Sequence, residues 1–116
     1  MAYDEAHADR MRAALASSPD VLDGALTEKK MFGGLGFMID GHMVAAATNG
    51  GCMMLRVDPA LTDTYVDGLH VQRFEMRGRG LRGWLDLAPE AVADDEDLRD
   101  WLAIGIAHVR SLPPKD

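Results

Sequence analysis

Apolar residues recur at helical spacing near the two ends of the chain and gather in short runs between them. Over residues 4–16, "DEAHADRMRAALA", Ala8, Met11, Ala14 and Leu15 fall three and four apart. That spacing predicts one apolar helical face, with acids in the first turn where the helix dipole favours them. Ser17, Ser18 and Pro19 end it. "DVLDGALTEKK" carries no clear period and reads as a loop or short turn leading to a strand near Leu26–Phe32. The runs "LGFMI" and "HMVAAA" are joined by Asp40-Gly41, the signature of a two-residue type I′ hairpin. "TNGG" supplies the next turn, with Asn49-Gly50 tolerant of positive φ, and "CMMLRV" follows as another strand.

Beyond this meander of three or four strands, Pro59 opens a short helix, "PALTDTYVDG", and Gly68 closes it. "VQRFEM" and "GWLDL" read as two further strands around an arginine-rich turn. The clearest helix is "DDEDLRDWLAIGIAHVRSLPP", in which Leu98, Trp101, Leu102, Gly105, Val109 and Leu112 share one face. Its acids crowd the N-terminus as caps and dipole partners, and Pro113-Pro114 stop it. The order predicts an α+β fold: one domain over residues 1–116, an antiparallel sheet made of a β-meander plus a further strand pair. N-terminal, middle and C-terminal helices pack on it.

Composition agrees with one soluble domain: 116 residues, 47% hydrophobic and 27% charged. No apolar run is long enough to cross a bilayer. The acidic opening "MAYDEAHADRMR" is not a signal peptide, and the single Cys52 fits a reducing compartment, so the expected location is the cytoplasm. Nineteen acids against twelve bases, a net charge of −7, argue against direct nucleic-acid binding, which needs Lys and Arg on phosphates. The one local basic excess, "RFEMRGRGLRG", reads as a solvated turn.

Candidate chemistry changes this picture little. "KKMFGGLGFMIDGHM" is rich in glycine but lacks the lysine and helix of a P-loop, since Phe37-Met38-Ile39 follows Gly36 as a strand. Its Gly33-Gly34 is expected to mark a close approach of two strands. Gly78, Gly80 and Gly83 spell a literal GxGxxG, but "WLDLAP" after it is no helix, so no dinucleotide cofactor is expected. The four histidines and Cys52 show no paired metal spacing, and no catalytic, cofactor or metal set is assigned. Cys52 would act as a nucleophile only with His42 beside it to lower its pKa. Eight methionines are many for this length; most are expected in the core, while adjacent Met53 and Met54 must point to opposite sheet faces. The exposed remainder would make an adaptable binding surface.

The ordered motifs "KKMFGGLGFMIDGHM", "MLRVDP", "GRGLRGWLDL" and "DDEDLRDWLAIGIAHVRSLPPK" resemble the N-terminal domain of the TfoX/Sxy family, over roughly Arg10 to Lys115. The motif residues are Met31, Phe32, Gly33, Gly34, Gly36, Gly41 and Met43, which define either the fold or an interaction site. The resemblance implies an α+β fold with a central antiparallel sheet. The family name comes from a regulator of natural competence with a separate C-terminal domain, a half that this chain is expected to lack. The reading that results is a non-enzymatic cytoplasmic regulatory module that binds another protein. The alternative is an anion-binding protein or minor enzyme, with His42, Cys52 and Arg56 lining a pocket. Self-association through a sheet edge, giving a homodimer, is compatible with either.

Overall fold

The computed structural model describes residues 3–19, 21, 25–31, 34–76 and 78–113, without the side chains of Met31 and Met76. It is a single α+β domain with three helices and six strands. Helix α1 spans Glu5–Ala16. Strands β1 (Leu26–Met31), β2 (Gly34–Ile39), β3 (His42–Ala47) and β4 (Met53–Arg56) follow as the meander. A 3₁₀ turn at Pro59–Leu61 runs into the short α2 (Thr62–Tyr65). Then come β5 (Val71–Met76), β6 (Arg79–Leu87), a second 3₁₀ turn at Pro89–Val92, and α3 (Asp95–Arg110). The strands form one antiparallel sheet in the order β1-β2-β3-β4-β6-β5.

Local chemistry accounts for the boundaries. Asp4 caps α1, its Oδ1 accepting the Ala6 N–H at 2.9 Å, and Asp94 does the same for Glu96 at the start of α3. Asp40 (φ 53°) and Gly41 (φ 84°) both take the left-handed conformation that a type I′ turn needs. In the next turn the positive φ values fall on Gly50 and Gly51, one residue later than Asn49-Gly50. The arginine-rich segment is more strand than turn. Arg79 pairs with Met76 and Gly80 with Glu75, so β6 begins four residues before "GWLDL". Gly83 (φ 89°) bends β6 midway, and its N–H donates to the buried Thr62 Oγ1 at 2.7 Å. The middle helix is shorter than "PALTDTYVDG", because Pro59–Leu61 is a 3₁₀ turn and the α-helix covers only Thr62–Tyr65.

The helices pack on one face of the sheet. Leu35, Phe37 and Ile39 of β2, Ala45 and Ala47 of β3, Met53 and Leu55 of β4, and Leu85 and Leu87 of β6 point toward them. Met11 and Leu15 of α1 and Leu98, Leu102 and Ile106 of α3 complete this core. Gly105 lets α3 approach closely: a Cβ there would sit 2.7 Å from Leu55 Cδ1 and 3.1 Å from the Arg56 carbonyl oxygen. Ion pairs tie helices to sheet at the rims, Arg12 to Glu28 and Arg73 to Asp63, and Arg10 joins α1 to Asp95 of α3.

Candidate interaction face

Strand alternation fixes what the other side of the sheet carries. The register Lys29–Gly36–Ala46–Met54–Asp86–Gln72 runs straight across all six strands, and every member points away from the core row beside it. A second row holds Met38 opposite Met43, and Arg56 opposite Trp84. Met38, Met43, Met54, Arg56, Trp84 and Asp86 are all partly exposed. Among the described residues, no helix lies over them. The Arg56 guanidinium sits over the Trp84 ring, 5.5 Å from its centroid, a cation–π contact. Between the methionines lie Gly36 and Ala46, both buried among their neighbours.

Asp86 stands out electrostatically. It is half-buried and makes no hydrogen bond or ion pair within the described residues; burial pushes its carboxyl above the ordinary aspartate range. Sequence reasoning did not single out Asp86 or Trp84. The signal was there in the alternation of "WLDL", whose leucines face the core and whose Trp and Asp therefore cannot.

The structure does not bring His42, Cys52 and Arg56 together. His42 pairs with Ile39 and so faces the helical side, where its Nε2 lies 2.6 Å from the Pro113 carbonyl oxygen. Cys52 is four residues from Arg56 along extended chain, about 13 Å. The thiol is pushed up by burial and by the carboxylates of Asp86 and Glu90, which favours the unreactive protonated form. The imidazole near Cys52 is that of His7, hydrogen-bonded to the Cys52 backbone, with its buried Nε2 unpartnered among the described residues. His7 is held below the ordinary histidine range by burial and by Arg10. His108 on α3 is lowered by burial and then by the charge of Arg56.

Two grooves of the helical layer are lined by none of the three. The larger, about 350 Å³, runs between α1 and α3 along Ala13, Ala14 and Leu98. Its Arg10 is already engaged with Asp95 and with the carbonyls of Val92 and Ala93. No three His, Cys, Asp or Glu side chains converge as a metal would require, among the described residues.

The family-motif residues have mainly architectural positions. Gly34 and Gly36 are buried in β2, Gly41 makes the hairpin turn, and Met43 lies on the open face beside Met38. Met31 ends β1 against Gly34; Phe32 and Gly33 lie outside the described residues.

The fold and face thus define a small α+β domain with helices on one side of a six-stranded sheet and a methionine-rich surface on the other. The model of the TfoX N-terminal domain family matches residues 20–109 of the 116, and the chain belongs to that family. No curated protein and no solved structure gives a significant match.

Proposed function

We propose that this domain is a non-enzymatic, cytoplasmic protein-interaction module that acts in regulation, and that its open sheet face is the docking surface. One observation carries the reading: Met38, Met43, Met54 and Trp84 share a partly exposed face that no described helix covers. Long thioether side chains adapt to a partner's contour, and a flat tryptophan supplies contact area at small entropic cost. Family membership supports the same reading, through a namesake that is a regulator. The placement of Cys52 far from His42, with its thiol kept protonated, gives the enzyme alternative no support.

A photo-reactive amino acid placed at Met54 tests the docking surface against one placed at exposed Ala103 on α3. Irradiation in cells should yield a covalent adduct with a polypeptide from Met54 and none from Ala103. Equal labelling from both sites, or none from Met54, would remove the reading.

A further inference from the structure

We infer that the polypeptide fitting this face is a second copy of the same chain, packed sheet to sheet about a two-fold axis parallel to the strands between β3 and β4. The inference rests on the docking surface proposed above and names its occupant.

The cross-strand row is complementary to itself. Rotation about that axis lays β3 of one copy over β4 of the other, and β2 over β6. Met54 then projects toward Ala46 of the second copy, so a long side chain meets a short one. Asp86 comes to lie over Gly36, which has no side chain to block it, beside Lys29 on the neighbouring β1. Within one chain Lys29 and Asp86 stand four strands apart, roughly 19 Å, beyond any ion pair. Across the axis, a lysine stem can bridge the ~10 Å between packed sheets. The half-buried carboxylate, which has no partner among the described residues of its own chain, thereby gains one, twice per dimer.

Charge distribution favours the same arrangement. In the helical layer the acid excess lies at the start of α3, where Asp94, Asp95, Glu96 and Asp97 stand together, while in α1 Glu5 and Asp9 are balanced by Arg10 and Arg12. The open face carries Lys29 and Arg56 against Asp86. Packing sheet to sheet points the acidic start of α3 outward, away from the second copy. The six-stranded face measures roughly 24 Å across the strands by about 17 Å along them. That flat footprint is about 400 Å², half the ~800 Å² per partner of a standard interface, which makes the contact a small one.

Sedimentation velocity of the purified full chain at micromolar concentrations tests this, with far-UV circular dichroism to confirm folding of each variant. The wild type should sediment at twice the chain mass. Lys29→Asp and Asp86→Lys should each be monomeric, and the double variant should recover the dimer, because the swapped charges meet again across the axis. Lys29 is exposed, so its substitution leaves the fold intact. A wild type that stays monomeric overturns the inference, as does a dimer that both single variants retain or that the double variant fails to recover. If the wild type is monomeric yet Met54 photo-crosslinks a different polypeptide, self-association falls and the docking surface stands. With neither a dimer nor an adduct, both fall.

Discussion

His7 is the residue at which folding and protonation are most tightly linked. Its imidazole is 5% exposed, hydrogen-bonded to the Cys52 backbone and held neutral by burial and Arg10. In the unfolded chain it titrates near its ordinary 6.5, so on acidification the unfolded state takes up the proton first. The stability from neutral His7 is complete above 6.5 and is lost as pH falls toward its depressed folded value. Thermal melts should show the melting temperature falling from pH 7 to pH 5. His108 contributes with the same sign, so His7→Leu should flatten the slope without abolishing it. An unchanged slope would mean the ring is not desolvated. Asp86 has the opposite sign. Its carboxyl is raised, so its favourable contribution holds below about 3.8 and disappears as pH rises through its folded value. Asp86→Asn should therefore raise the melting temperature of the monomer at pH 7, and do so less at pH 3. Natural proteins keep such a liability where function uses the group. Met53 and Met54 were separable in the sequence, since alternation requires opposite faces, and Met53 is fully buried while Met54 is not. The separation of His42 from Cys52 was not legible, because it depends on the face that His42 takes after the Asp40-Gly41 turn.

Elements whose signals are local were readable. The meander follows from short apolar runs and an Asp-Gly turn, and α3 from its apolar face and acidic cap. β6 was only half legible. Its first residues, Arg79 to Arg82, look like a solvated turn, yet backbone pairing with β5 makes them strand whatever their side chains prefer. The insertion of β6 between β4 and β5 is likewise a non-local pairing that no single segment announces. Gly105 shows the same limit: its place on the apolar face of α3 was evident, its purpose was not. Alanine there would gain helix propensity, about 1 kcal/mol, but its Cβ would press on Leu55 and the Arg56 carbonyl, and overpacking costs about 1–3 kcal/mol. Gly105→Ala should lower stability by roughly 1 kcal/mol in urea titration; a stabilised variant would show that α3 can shift freely. Phe37→Ala, which empties the middle of β2 under α1, should cost about 3–5 kcal/mol.

At the scale of the molecule the two sides of the sheet have different purposes. One is filled by α1 and α3 and provides the core. The other carries methionine, tryptophan and a few charges at partial exposure, an arrangement that costs stability in an isolated domain and is useful to one that docks. The central claim, that the open face is free in the monomer and becomes covered on association, can be tested with methyl-labelled methionine in NMR, using a soluble paramagnetic probe. In dilute protein the probe should attenuate the Met38, Met43 and Met54 methyls and spare Met11 and Met53, which are fully buried. On concentration, the first three should become protected together. Protection of Met38, Met43 and Met54 already in the dilute monomer, or attenuation that association leaves unchanged, would contradict the account.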